Sequence, residues 1–284
     1  MNIVLIGHGY VANYIKNELD EVSKRFRWIT YKQIRHTDPI IKWEASETVD
    51  FIINAAGYTG VPNVDSCEIL ENRQKCIDGN VTFPLSLEGA GVPVLHITSG
   101  CIYNGYPKDG YTEKDEPNFD FGNGSFYSGS KALFQQLWRK QHNSKSYLFR
   151  IRMPFGPDNL DKNLIMKLRK YPRLIDKLNS MSYLPDVAKA AVYFALNHKE
   201  IPGGIYNAVN PEPIKTSEIA EMFGLDKEWM SDTEFKQITV APRSNCTLNP
   251  ARMEAIFKWT PTRDALAEVL ELHETLLALC KVFA

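Results

Sequence analysis

Residues 3–6, Ile-Val-Leu-Ile, make an unbroken apolar run that stops at Gly7, and a helical pattern begins at Tyr10. An apolar run this short reads as a strand buried on both faces, and a glycine turn feeding directly into a helix reads as the start of a β-α-β unit. This feature constrains the fold most, because parallel strands must be joined by long crossovers, usually helices. The pattern then repeats. A helix is predicted over 10–22, with Val11, Tyr14, Ile15, Glu18 and Leu19 at helical spacing. Further strands are predicted at 26–30, 50–54, 92–98 and 147–151, with helical stretches between them. The expected fold class is α/β, a Rossmann-like doubly wound parallel sheet. Beyond about residue 155 the pattern is mixed. It predicts helices over 163–170, 186–197 and 217–223, a strand-like segment at 204–209 and a strong amphipathic helix over 262–279. No repeat, charge block or flexible linker separates the halves, so the second half reads as a smaller C-terminal cap packed on the sheet.

Gly7-His8-Gly9-Tyr10-Val11-Ala12 is a G-x-G-x-x-A turn between the first strand and the first helix. Such glycines allow a tight turn and close approach of backbone to a pyrophosphate, which then sits on the helix N-terminus. Gly7, Gly9, Tyr10 and Val11 are therefore candidate dinucleotide contacts. After the second predicted strand the chain reads Thr30-Tyr31-Lys32-Gln33-Ile34-Arg35, with two cations and no carboxylate. Lys32 and Arg35 suit a ribose 2′-phosphate, which favours NADP(H) over NAD(H).

Lys+Arg total 33 against Asp+Glu 34, a net charge of -1 across 284 residues. That balance argues against a nucleic-acid or membrane-surface footprint and points to a small-molecule partner. The five cysteines (Cys67, Cys76, Cys101, Cys246, Cys280) form no C-x-x-C pair, and the six histidines show no ligand spacing, so no metal site is expected. No apolar run approaches the roughly 18 residues of a transmembrane helix. The N-terminus has no signal-peptide pattern, and sparse free thiols fit a reducing compartment. The expectation is a cytoplasmic protein.

Tyr127 and Lys131 stand four residues apart in a predicted helix over 126–141, on one face. A nearby cation favours phenolate, so Lys131 is expected to lower the Tyr127 pKa toward a range useful for proton transfer. Ser99, at the end of the fourth strand, is placed to hydrogen-bond a substrate carbonyl.

These residues resemble the extended short-chain dehydrogenase/reductase superfamily over essentially the whole chain. Asn54-Ala55-Ala56-Gly57 follows the third strand, Asn80 comes next, Ser99 precedes Tyr127, and Leu184-Pro185-Asp186-Val187-Ala188 opens a later helix. The resemblance implies hydride transfer between a nicotinamide and a sugar nucleotide, with Asn54, Ala55, Ala56, Gly57, Tyr127, Lys131 and Pro154 at the cofactor. It implies a dinucleotide-binding domain over 1–155 and a nucleotide-sugar-binding cap over 156–284, with 182–210 returning to the first domain.

More specific strings are similar to the nucleotide-rhamnose synthase branch, the bifunctional 3,5-epimerase/4-reductases. They are residues 54–68, Gly100-Cys101-Ile102-Tyr103, 124–128, Arg150-Ile-Arg-Met-Pro154 and Ala241-Pro242-Arg243-Ser244-Asn245. The glycine turn departs from the G-x-x-G-x-x-G common there. Inverting carbons beside a ketone needs a base for the α-proton, and Cys101, two residues past Ser99, is the candidate. The resemblance implies Lys167 as the acid on the other face, where the similar GDP-fucose synthases use a histidine. It implies substrate contacts from Thr59, Ser99, Cys101, Asn163, Arg243 and Asn245, with the Arg243 fork suited to a diphosphate or, equally, to an internal ion pair. A homodimer is expected, since relatives often pair through two long helices. A monofunctional 4-reductase and a non-catalytic NADP-binding regulatory subunit remain as alternatives, and the base, UDP or dTDP, stays open.

Overall fold

The computed structural model describes residues 1–36, 48–141 and 145–282, without the side chains of 276–282; His142 and the Cys280 side chain lie outside this set. β1 (Asn2–Ile6) leads through the glycine turn to α1 (Tyr10–Arg25), then β2 (Thr30–Ile34) and β3 (Phe51–Asn54). α2 (Leu70–Ile77) and α3 (Phe83–Ser86) precede β4 (Val94–Ser99), and α4 (Phe126–Gln141) precedes β5 (Tyr147–Ile151). β6 (Pro154–Phe155), α5 (Leu164–Lys170), β7 (Arg173–Ile175), β8 (Leu178–Asn179) and β9 (Ser182–Tyr183) follow, then α6 (Leu184–Leu196) and β10 (Gly204–Asn207). β11 (Ile214–Lys215), α7 (Thr216–Met222), β12 (Glu228–Met230), α8 (Asp232–Ile238), α9 (Ala251–Glu254) and α10 (Thr262–Val282) complete the chain.

Among the described residues, six strands form one parallel sheet in the order β10-β5-β4-β3-β1-β2. Strand succession reverses between β1 and β3, and at such a switch point the loops diverge and leave a crevice at the carboxyl ends. Alternate residues of the strands bury on opposite faces. Ile3, Leu5, Phe51, Ile53, Leu95 and Phe149 pack under α1 and α6, while Val4, Ile6, Ile52 and Val94 face the other layer. α4 covers that second face through Phe134 and Trp138 against Leu148 and Ile205. A separate core of Phe155, Ile165, Leu168, Leu174, Ile214, Ile219, Leu266 and Val269 holds together α5, α7 and α10. Among the described residues no helix is long and apolar enough to cross a membrane.

The second strand lies four residues later than the sequence pattern implies. α1 continues to Arg25, and Phe26 and Trp28 sit in the turn, 46% and 58% exposed. β2 is the edge of the sheet with alternately exposed residues, so it lacks the continuous apolar run that marks a buried strand. Lys32 therefore lies inside β2, opposite Val4, rather than beyond its end; Arg35 is the cation just past the strand.

Candidate functional site

The glycine turn is pinned at the switch point. Gly7 N donates to Ile34 O at 2.9 Å, and Gln33 Nε2 donates to Gly7 O at 2.8 Å, which brings the end of β2 and Arg35 beside the turn. Gly7 has φ +119°, and a Cβ there would meet the Ala55 and Ala56 backbone at 3.0 Å. Gly9 differs: its φ is -85°, and a Cβ would meet nothing within 4 Å. The protein itself therefore does not require glycine at 9. The open space lies at the N-terminus of α1, which carries no side-chain cap, and its free N–H groups suit a pyrophosphate. The residues fit a dinucleotide. We expect Gly7→Ala to destabilise the fold by about 1–3 kcal/mol. Gly9→Ala should leave the thermal midpoint unchanged while weakening dinucleotide binding about tenfold or more, as read by fluorescence titration; unchanged binding would remove the turn from the site.

At the start of α1, Val11 is half-buried against the sheet core. The Tyr10 ring is buried, and its hydroxyl donates to Asp158 Oδ2 at 2.9 Å, with burial raising its pKa. Asn54 is likewise spent on structure. It is 1% exposed, its Nδ2 meets His96 Nδ1 at 3.1 Å, and its Oδ1 accepts from Ala56 N. Burial holds His96 below its ordinary value, hence neutral; Nδ1 is then the acceptor and Nε2–H donates to Glu88 Oε1 at 2.9 Å. Ala55 and Ala56 are half-buried and Gly57 exposed along the crevice, while Pro154 is half-buried in β6.

Ser99, Cys101, Tyr127 and Lys131 converge at the carboxyl end of β4. Cys101 N donates to Ser99 Oγ at 3.1 Å, and the Ser99 hydroxyl lies close enough to the Tyr127 phenol to lower its pKa. α4 presents Tyr127 and Lys131 on one face, with Lys131 Nζ 5.9 Å from the Tyr127 ring centroid. Its start is fixed from outside the helix, where Phe126 N donates to Glu68 Oε1 at 2.7 Å. Asn80, fully buried in a π-helical segment, ties the Tyr58 backbone to Ser130 of α4; such bulges recur at functional sites.

The electrostatics reverse one expectation. Tyr127 is not drawn toward phenolate: burial, followed by the Cys101 thiol, raises it well above its ordinary value, and the Ser99 hydroxyl only partly offsets this. Burial acts on Lys131 in the opposite sense and pushes it down to about 8, partly countered by Cys76 and Cys101. Desolvation disfavours the charged form of both groups, and here it is the largest influence on each. Tyr127 is thus a protonated phenol, suited to donate.

The other candidates separate. Lys167 projects from α5 as an exposed residue with no hydrogen bond to the Ser99 cluster, and crowding by protein followed by Lys162 and Arg243 lowers it. Arg243 already holds an acid: its Nη1 and Nη2 reach Asp65 Oδ1 and Oδ2 at 2.8 and 2.9 Å. Burial would raise Asp65, but this pair and the Ala241 N–H bring it below its ordinary value. Of the two sequence readings, the internal ion pair is the one present. Asn163 is no substrate contact. It is 0% exposed, caps α5 by accepting from Ile165 N, and donates to Gly156 O and Asp158 O. Asn245 and Arg243 line a cleft of about 580 Å³ with Tyr106, Phe119, Phe235 and Val240, a size suited to a small ligand. Thr59 is exposed.

Two residues escaped the sequence reading. Arg152 Nη1 donates to Cys101 Sγ at 2.8 Å; it stands within the Arg150–Pro154 string, but nothing local pointed to a partner 51 positions away. Asp65 stands within the 54–68 string, but its partner Arg243 lies 178 positions away.

No family model matches the chain. It is 34% identical over 221 residues to the bifunctional dTDP-4-dehydrorhamnose 3,5-epimerase/dTDP-4-dehydrorhamnose reductase of Arabidopsis thaliana, covering 72% of this chain and 71% of that protein. A trifunctional UDP-glucose 4,6-dehydratase/UDP-4-keto-6-deoxy-D-glucose 3,5-epimerase/UDP-4-keto-L-rhamnose-reductase of the same plant is 30% identical over 243 residues. That alignment covers 80% of this chain and about a third of the relative's length, 34%. Among solved structures, the L780 UDP-rhamnose synthase of Acanthamoeba polyphaga mimivirus superposes with a TM-score of 0.85 at 24% identity, over 96% of this chain and 99% of that one. A dTDP-4-dehydrorhamnose reductase of Clostridium acetobutylicum gives 0.76 at 18% identity, over 96% and 100%. At those identities the structures establish the fold.

Proposed function

Because the chain belongs to the nucleotide-rhamnose synthase branch of the extended short-chain dehydrogenases/reductases, we propose that it converts a nucleotide-linked 4-keto-6-deoxy-D-glucose, UDP or dTDP, to the nucleotide-L-rhamnose. The observation that carries this reading is a half-buried thiol, Cys101, bonded through its own N–H to Ser99, whose hydroxyl lies near the Tyr127 phenol. A ketone held by Ser99 and Tyr127 acidifies its neighbouring C–H bonds, and the thiol stands beside them.

In epimerisation, Cys101 removes the proton from C3 or C5, the C–H electron pair forms an enolate, and Ser99 and Tyr127 hold the oxygen. Lys167 returns a proton to the opposite face. In reduction, the Tyr127 phenol gives its proton to the C4 oxygen while Ser99 orients the carbonyl, and Lys131 stabilises the phenolate left behind. NADPH, when bound, supplies the hydride for C4. Gly7, Gly9 and the α1 N-terminus take the pyrophosphate, Gly57 lines the crevice, and Arg35 takes the 2′-phosphate. Asn245 and the remaining donors of Arg243 face the nucleotide in the cleft.

We assign residues 1–155 and 182–210 to the dinucleotide-binding domain, in keeping with β10 as the sixth strand of the sheet. Most of the remaining 156–284 forms the nucleotide-sugar cap around the second core. The free thiols of Cys67, Cys76, Cys101 and Cys246 accord with the cytoplasm, and we propose a homodimer, as is frequent in this family.

The test is incubation in D2O with NADPH and the 4-keto-6-deoxyglucose nucleotide, read by NMR and mass spectrometry. L-rhamnose product carrying deuterium at C3 and C5 supports both activities in one chain. Reduced product without deuterium leaves a 4-reductase, and no turnover with either nucleotide rejects the reading. Arg35→Ser should raise the NADPH KM about tenfold while changing that for NADH by less than about twofold; equal changes would move the 2′-phosphate site elsewhere.

A further inference from the structure

Arg152, immediately past β5, is a buried cation that the steps above leave unused. It is 4% exposed, and taking a guanidinium out of water is unfavourable unless its donors are met. None of its hydrogen bonds reaches a carboxylate. Nη1 donates to Cys101 Sγ at 2.8 Å, and Nη2 donates to Asn179 Oδ1 at 2.6 Å and to the Ser244 carbonyl. Its Nε is buried with no hydrogen-bond partner among the described residues. Asn179 Oδ1 also accepts from Cys246 N, so the fork is clamped on the side away from the sulfur.

Arg150, two residues earlier, offers an internal control. It too is fully buried and meets only neutral acceptors, Gln135 Oε1, Asn207 Oδ1 and two backbone carbonyls, and burial pushes it below its ordinary value. Arg152 differs from it in meeting a sulfur that can carry charge, Cys101 Sγ at 2.8 Å. The backbone adds a separate sign. Met153 is a non-glycine residue at φ +41°, a sparsely populated conformation that persists only where surroundings impose it. The strain lies next to the residue that touches the thiol.

We propose that Arg152 is a positioning residue for the epimerisation, holding the Cys101 sulfur as the anionic proton acceptor and fixing its place on the pocket wall. This rests on the epimerase reading above. A charge-assisted bond to sulfur favours thiolate over thiol. The other groups facing Cys101 are Tyr127 and Lys131 of α4 and Cys246 of the 240–250 loop, while Tyr106 of the loop after β4 faces Arg152 and Cys246. Tyr127 is protonated, Cys246 is pushed up by burial, and Lys131 is a cation weakened by its own burial. Arg152 is the cation whose bond to the sulfur is direct. In the step itself Arg152 transfers nothing. The thiolate accepts the C3 or C5 proton, the C–H pair becomes the enolate, and the proton on sulfur is later released to solvent as the cation restores the thiolate.

The test compares wild type, Arg152→Lys and Arg152→Met, each loaded with NADPH. One readout is the thiolate ultraviolet absorbance at neutral pH that is lost in Cys101→Ser, recorded without sugar. The other is the rate of deuterium exchange at C3 and C5 divided by the rate of reduction of the pre-epimerised 4-keto-L-rhamnose nucleotide. The expected result is loss of the Cys101 thiolate signal in Arg152→Met and a fall of about 100-fold or more in that ratio, with Arg152→Lys restoring part of both. An unchanged thiolate signal, or exchange and reduction falling together, would make Arg152 a mere clasp between β5, β8 and the 244 loop. Should Arg152→Met not fold, wild type and Arg152→Lys decide: no Cys101 thiolate in wild type overturns the proposal. If wild type exchanges nothing at C3 or C5, the epimerase reading has failed, and the thiolate signal alone then judges the Arg152–Cys101 pairing.

Discussion

Cys101→Ser is expected to abolish deuterium incorporation at C3 and C5 of the 4-keto sugar, by about 10³-fold or more, and to leave the fold intact. Serine keeps the size of the side chain and can accept from Arg152, but its hydroxyl does not form an anion at neutral pH. The residue is only half-buried and is not part of the main sheet core, so the loss in stability should stay under about 1 kcal/mol, a shift of less than about 2 °C in Tm for a chain of this size. The measurement pairs NMR of the recovered sugar with a thermal melt. Exchange persisting in a folded variant would return Cys101 to a packing role and leave the reductase as the whole activity.

Tyr127→Phe should lower NADPH-dependent ketone reduction by about 10²–10⁴-fold, the usual range for a positioned proton donor. The fold should tolerate it, because the ring still fills the same buried space and only the hydroxyl is lost. Tyr127 remains a phenol at neutral pH and adds no titration there. A decline in kcat/KM as pH rises through about 8 would belong to Lys131, which loses its charge in that range. Lys131→Met should remove that alkaline limb along with most of the rate. The same lysine affects folding with a definite sign. Its folded value is about 8 and an unfolded lysine titrates near 10.4, so between those values the unfolded chain binds more protons and this residue alone makes stability rise with pH. A pH profile whose alkaline limb survives in Lys131→Met would assign the titration to another group.

The site was legible where it depends on local order. The glycine turn follows β1 directly, Tyr127 and Lys131 share a helix face, and Cys101 trails Ser99 by two residues. Asn163 misled because an asparagine opening a helix looks the same in sequence whether it caps or binds; only its 0% exposure and three backbone partners assign it to the cap. Arg243 stayed open between two readings for a related reason, since a guanidinium fork fits a carboxylate as well as a diphosphate, and only the fold brings Asp65 to two of its donors. β2 was displaced because an edge strand exposes alternate residues and carries no buried run.

Periodicity in the chain by itself determined the parallel sheet, the crossover helices and the position of the glycine turn, because burial on one face or both leaves a repeat that a few neighbouring residues suffice to display. Tertiary structure alone decided which charges meet. Arg152 reaches Cys101 across 51 positions and Arg243 reaches Asp65 across 178. It also decided that Tyr127 stays protonated while Lys131 loses part of its hold on a proton, since desolvation depends on everything packed around a group and not on its neighbours along the chain.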